Sequence, residues 1–192
     1  MAKRQGSAII TVNAPVILGI TAASGLLLAV DSATGGVSNR LLMSHFTGWL
    51  DPLMYLRFFT HVFAHENFAH FFGNYMLILV VGPLMEERYG GKRLLSMLAA
   101  TAFITGLANA VFFRNVAVIG ASGLAFMLIL LSSFANIKKG GVPLTLLLVA
   151  FIYIGNEVLR GVFQSDNISQ LSHIIGGLCG AGFGFYFKDG AK

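Results

Sequence analysis

Apolar residues along this chain gather into six runs: 8–30, 68–84, 94–113, 116–135, 142–159 and 168–187. Each is close to the ~20 residues that cross a bilayer as a helix. The pattern predicts six transmembrane helices. The first run follows Lys3 and Arg4, as the apolar stretch of a signal peptide does. It exceeds the ~7–15 residues of such a stretch, and no clear A-x-A site follows, so it is predicted to be a retained span. The segment 31–67 is different. It contains "FTGWLDPLMYLRFFTHVFAHEN", too apolar for a solvated loop and too rich in turn and polar residues for a span. Such a composition predicts a segment lying partly embedded in the membrane interface. Trp49 and Tyr55 suit the headgroup level. The other connections are short, so no soluble ligand-binding domain is expected and residues 1–192 read as one domain.

Composition strengthens this picture. Of 192 residues, 56% are hydrophobic and 11% charged, with mean hydropathy +0.76. Soluble domains carry roughly 25% charged residues. The net charge of +5 does not by itself argue for nucleic acid, because in a membrane protein the distribution of Lys and Arg matters more than their sum. Lys3, Arg4, Arg88, Lys92, Arg93, Lys138, Lys139, Lys188 and Lys192 fall on one side. Arg40, Arg57, Arg114 and Arg160 fall on the other. The excess predicts that both termini are cytoplasmic; the expected location of this multi-pass protein is the plasma (inner) membrane. The single cysteine, Cys179, excludes an internal disulfide and reads as a small packing residue.

Polar side chains inside spans are costly and mark function. Span 2 opens "FAHFFGNYM" with His70 and Asn74, four apart and therefore on one helix face. Span 4 opens "VAVIGASG" with Ser122 about six residues in, or ~9 Å at 1.5 Å per residue. Span 6 opens "ISQLSHIIGG" with His173 at a similar depth. All three spans enter from outside, so these groups are expected in one outer layer. From His173, glycines 176, 177, 180 and 184 form a stripe with almost no side chain on it, and Gly120 and Gly123 flank Ser122. Small residues let membrane helices approach closely. Spans 4 and 6 are thus expected to bring Ser122 to His173.

A serine hydroxyl is a weak nucleophile until a base takes its proton, and imidazole is suited to that task near neutral pH. Acyl transfer also needs donors aimed at the developing oxyanion. His70, the Asn74 amide and the Ser122 N–H are candidates. No carboxylate lies in a span at that depth; Glu157 sits at the outer end of span 5. The expectation is a Ser-His dyad with Phe126 stacking on the imidazole. Blander readings exist. A serine alone back-bonds to its own helix, and a glycine stripe alone means tight packing. His61, His65 and His70 are spaced for a metal, but no carboxylate or cysteine completes the set, so no metal and no cofactor are expected. A small channel or transporter would need polar groups through the full depth, whereas the inner halves of spans 2, 4 and 6 are apolar or glycine-rich.

Four ordered motifs resemble the rhomboid family of intramembrane serine proteases across all six spans. "GASG" at 120–123 is similar to its G-x-S-G, and "HIIGGLCG" at 173–180 to its H-x-x-G-x-x-x-G. "HFFGN" at 70–74 is similar to its H-x-x-x-N, and "EERYG" at 86–90 to its E-x-R, here Glu86 and Arg88. The resemblance implies an all-α six-helix bundle in its minimal bacterial-type form, with a water-filled cavity open to the outside. It implies Ser122 as nucleophile, His173 as base, and His70 and Asn74 as oxyanion donors. Gly120, Gly123, Phe126, Gly176 and Gly180 would pack the active site, and Arg57, Glu86 and Arg88 would be structural. The substrates implied are single-span or other transmembrane proteins in the lipid bilayer, reached past span 5 as a lateral gate. The alternative within the family is an inactive form that binds membrane clients. Two departures stand out: Leu56 precedes Arg57 where the family often has Trp, and Phe126 stands where it often has Tyr.

Overall fold

A computed structural model describes residues 11–135, 144, 148, 151 and 167–187. Seven helices are formed by them: α1 Pro15–Thr34, α2 Val37–Leu42, α3 Pro52–Thr60, α4 Phe68–Tyr89, α5 Gly91–Phe112, α6 Ser122–Ala135 and α7 Asn167–Tyr186. A short 3-10 turn, His61–Phe63, follows α3. Among the described residues the only strand-like pairing is an isolated antiparallel bridge between Ser44 and Val118. α1, α4 and α5 are long and apolar enough to cross a membrane, and α6 is a shorter apolar helix. The fifth apolar run, 142–159, lies outside the described residues apart from Leu144, Leu148 and Phe151, and with it the expected gate and Glu157.

The ends of the helices follow from local chemistry. α1 begins at Pro15, whose fixed φ and missing N–H suit a first helical position. The next two N–H groups, of Val16 and Ile17, donate to the Glu86 carboxylate, each at 3.0 Å. A buried carboxylate on the positive end of a helix satisfies two orphan donors at once. This is what the Glu of "EERYG" does: α4 runs five residues past the end of its apolar run (68–84) and brings Glu86 under α1. It stops at Gly90, whose φ of 81° leaves the helical region, and α5 begins at the next residue. Arg88 lies 5.8 Å from the ring centre of Tyr89. α3 and α4 are capped by side chains, Asp51 accepting from Leu53 N–H and Asn67 from His70 N–H.

The segment 31–67 is built rather than loose. α2 and α3 lie within it, and the Arg57 Nε–H donates to the Leu41 carbonyl at 3.2 Å to join them. Phe58 of α3 seats on α5 at Gly106, where a Cβ would stand 2.7 Å from the Phe58 Cα. Trp49 meets Phe46 edge-on at 5.3 Å, and Arg114 lies 4.8 Å above Phe46 from beyond the end of α5. Leu50, Leu53, Leu56 and Phe59 remain exposed on its outer side. The centre of the molecule is α6, with Leu124, Ala125, Met127, Leu128 and Leu131 buried. It packs on α7 backbone to backbone: a Cβ at Gly176 would strike the Gly123 carbonyl, and one at Gly180 the Met127 carbonyl.

Glu86→Ala removes both bonds to the start of α1. We expect it to lower stability by about 1.5–3 kcal/mol, the range for hydrogen bonds to a charged group. Equilibrium unfolding in detergent or bicelles measures this, and unchanged stability would contradict the capping role.

Candidate active site

The fourth apolar run was expected to be helical throughout 116–135. Instead α6 starts at Ser122, and the residues before it are turns and bends with Val118 in an isolated bridge. Val118 exchanges backbone hydrogen bonds with Ser44 at 2.8 and 3.1 Å. Asn109 Nδ2 donates to the Val116 carbonyl at 3.0 Å, and Gly120 N–H donates to the His61 carbonyl at 3.0 Å. Gly120 has φ +111°, a conformation L side chains rarely adopt, which is the physical reason the helix cannot begin earlier. Ser122 is therefore the first residue of a helix rather than the sixth. Its own N–H and those of Gly123 and Leu124 have no intrahelical acceptor. A back-bond from its hydroxyl also has no helix to come from, since Val118, four residues earlier, sits in the bridge.

Gly120 also brings the chain flush against α4. A Cβ there would lie 2.7 Å from His70 Nε2 and 3.4 Å from Asn74 Nδ2. The two polar side chains of α4 thus converge on the residues entering α6. Asn74 is 9% exposed, and its Nδ2 has no hydrogen-bond partner among the described residues. Across from them, His173 is buried in the second turn of α7. Its ring lies parallel on that of Phe126, with centroids 4.2 Å apart and planes at 8°. Phe126 is one turn after Ser122, and Gly176 is nearly one turn after His173. Because Gly176 rests on the backbone of Gly123, the turns carrying Ser122 and His173 face each other.

Sequence reasoning missed the support for His70. Asp31 at the end of α1 accepts from Asn39 N–H at 2.7 Å and from Asn39 Nδ2 at 2.8 Å. The same Nδ2 donates to the His65 carbonyl at 2.8 Å, and Asn39 Oδ1 accepts from His65 N–H at 3.2 Å. His65 then sets its ring edge against that of His70, 5.2 Å between centroids. Ser44 and Asn109, which hold the segment before Ser122, were missed too. No motif marks these four residues; the only signal is a buried polar side chain among apolar neighbours. His61 turns its ring to α5, with Nε2 3.1 Å from the Ala102 carbonyl. Among the described residues, no group of three His, Cys, Asp or Glu side chains is arranged to hold a metal ion.

The family model described as Rhomboid domain matches residues 52–189. The chain is also similar to Rhomboid-like protease 1 of Toxoplasma gondii, 29% identical over 158 residues, which cover 77% of this chain and 53% of that protein. It spans about half the length of that relative.

Burial pushes the His61 imidazole down to about 4, partly offset by its bond to the Ala102 carbonyl. Burial likewise pushes His65 down to about 4, with the Phe63 carbonyl opposing. Both are neutral in the folded protein, whereas the unfolded chain protonates them near the ordinary 6.5. As pH falls through this window the unfolded state binds more protons, so stability is lost on acidification from about 6.5 to about 4. Unfolding midpoints measured across that range should fall, and less steeply in His65→Gln. A midpoint independent of pH would contradict the buried, neutral assignment.

Proposed function

The chain belongs to the rhomboid family, and from that membership together with the surroundings of Ser122 we propose that it is an intramembrane serine endopeptidase. It cleaves transmembrane protein substrates near their extracytoplasmic ends. The observation that carries the reading is the parallel stack of His173 on Phe126 beside the Gly123–Gly176 contact. The flat ring of Phe126, its centroid 4.2 Å away, restricts how the imidazole can turn.

In this reaction the Ser122 hydroxyl attacks the scissile carbonyl carbon as His173 takes its proton. Negative charge moves to the carbonyl oxygen. Asn74 Nδ2, the His70 ring and the Ser122 N–H donate to it, with the positive end of α6 adding to the effect. His173 then gives its proton to the leaving amine, and the acyl-enzyme forms. Water, deprotonated by the same imidazole, attacks the ester carbonyl; the imidazolium returns that proton to the Ser122 oxygen as the C–O bond breaks and the acid product leaves. Asn74 Nδ2 has no partner among the described residues, which supports this assignment: a donor engaged elsewhere would have to break a bond before it could help.

The surrounding architecture in this reading is six spans with both termini cytoplasmic in the plasma membrane. The segment 31–67 lies in the outer interface, which its exposed Leu50, Leu53 and Leu56 support. Substrates are membrane-spanning segments that reach Ser122 sideways past span 5.

A fluorophosphonate probe should label the purified protein. Ser122→Ala and His173→Ala should each abolish the label; persistence in Ser122→Ala would sink the assignment. Asn74→Ala should leave folding intact and lower kcat. Its loss should stay below the ~10²–10³ seen when one oxyanion donor is removed from a soluble protease, because other donors share the charge here. Unchanged turnover on a slow substrate would remove Asn74 from the site.

A further inference from the structure

Among the described residues, His70 makes its hydrogen bond from the backbone N–H, to Asn67 Oδ1 at 2.9 Å, and its ring is held by packing. The χ2 torsion that aims an imidazole is broad and roughly two-fold, so the side chain does not fix its own direction. A ring nitrogen helps a developing charge only when it points there. His70 Nε2 stands where a Cβ on Gly120 would lie 2.7 Å away. What restricts the ring is its neighbour. His65 is fully buried and meets it edge-on, with 5.2 Å between centroids and 65° between planes.

His65 lies between the 3-10 turn and α4, where no helix supplies partners for its peptide groups. A buried N–H and C=O must find them elsewhere. Asn39 supplies both: its Oδ1 accepts from the His65 N–H at 3.2 Å, and its Nδ2 donates to the His65 carbonyl at 2.8 Å. A primary amide presents donor and acceptor side by side, as a neighbouring strand would. The other Nδ2 hydrogen and the Asn39 backbone N–H go to the two oxygens of Asp31, near the end of α1. Asp31 thereby sets which way the amide faces, because a reversed amide would turn its oxygen toward a carboxylate. We propose that Asn39 is a positioning residue: oriented by Asp31, it aims the His70 ring through His65. The proposal rests on the reading of His70 as a donor to the oxyanion. It gives α1, which carries none of the reacting groups, a part in setting the rate.

The test compares Asn39→Asp with the double variant Asp31→Asn, Asn39→Asp, each in the full chain in bicelles. The single substitution sets a carboxylate against that of Asp31, where like charges repel, and removes the donor to the His65 carbonyl. The double variant restores a donor–acceptor pair between positions 31 and 39 with the roles exchanged. The first readout is the imidazole nitrogen NMR spectrum of isotope-labelled protein, the His70 signals being those lost in His70→Gln. Asn39→Asp should shift or broaden them, and the double variant should return them toward their original positions. The second readout is turnover of a transmembrane substrate, at a temperature where equilibrium unfolding shows each variant folded. In Asn39→Asp, kcat should fall about 10- to 100-fold, up to the scale of a ~1 Å misplacement. KM should change little, because the lost interaction belongs to the transition state. The double variant should recover part of kcat. If Asn39→Asp does not fold, Asp31→Asn alone serves, with smaller changes in the same signals expected. Unmoved His70 signals in a folded variant would overturn the proposal, as would signals that move with kcat unchanged or a double variant that recovers nothing. The spectrum is read whether or not the chain cleaves a substrate. Failure of the protease reading shows instead as absent fluorophosphonate label in the unsubstituted protein.

Discussion

The contact between Gly123 and Gly176 is the constraint on which the rest of the arrangement hangs. Lipid tails are as apolar as leucine, so helices in a bilayer gain little by hiding leucines from their surroundings. They associate through close backbone approach, and a carbonyl set where a Cβ would be leaves no room for any residue but glycine. That approach fixes how far α7 stands from α6. The distance in turn decides whether an imidazole on one can lie flat on a benzyl ring of the other. Gly180 repeats the contact one turn on, against the Met127 carbonyl, and Gly184 lies against the Phe134 side chain, so the pairing does not depend on one turn alone.

A second constraint is that polar groups away from water need partners from within the protein. The molecule meets it with links between distant segments. Glu86 holds the start of α1, Asp31 and Asn39 hold His65, and Asn109 holds the chain before Ser122. Each bond that satisfies a buried group also sets the position of an element. Against this background Asn74 Nδ2, unpartnered among the described residues, is the informative exception. It belongs to the residues that converge on Gly120, where the proposed reaction develops charge.

What could be read from the sequence was what repeats locally. The glycine stripe on the last span and the four-residue spacing of His70 and Asn74 are periodic features, and periodicity survives without coordinates. The start of α6 was not legible in this way. Residues 116–121 are as apolar as a helix, and only the pairing of Val118 with Ser44, 74 positions earlier, reveals that the helix has not yet begun there. The role of Glu86 was visible as a motif but not as a cap, because its acceptor function depends on Val16 and Ile17, some seventy residues away. Helices whose ends are set by distant partners cannot be bounded from hydropathy alone, and α1, which begins at Pro15 although its apolar run was read as starting at residue 8, shows the same effect.

The chain has one tryptophan, and the fold places it in the segment between α2 and α3. Trp49 touches Phe46, which Arg114 covers in turn. The intrinsic fluorescence of the whole protein is thus dominated by a single indole at the periphery, some distance in sequence from the bundle's core. Its emission reports the polarity and mobility of that one segment. A change in colour or anisotropy reads out movement there without any attached dye, and a steady spectrum says little about the packing of α6 on α7.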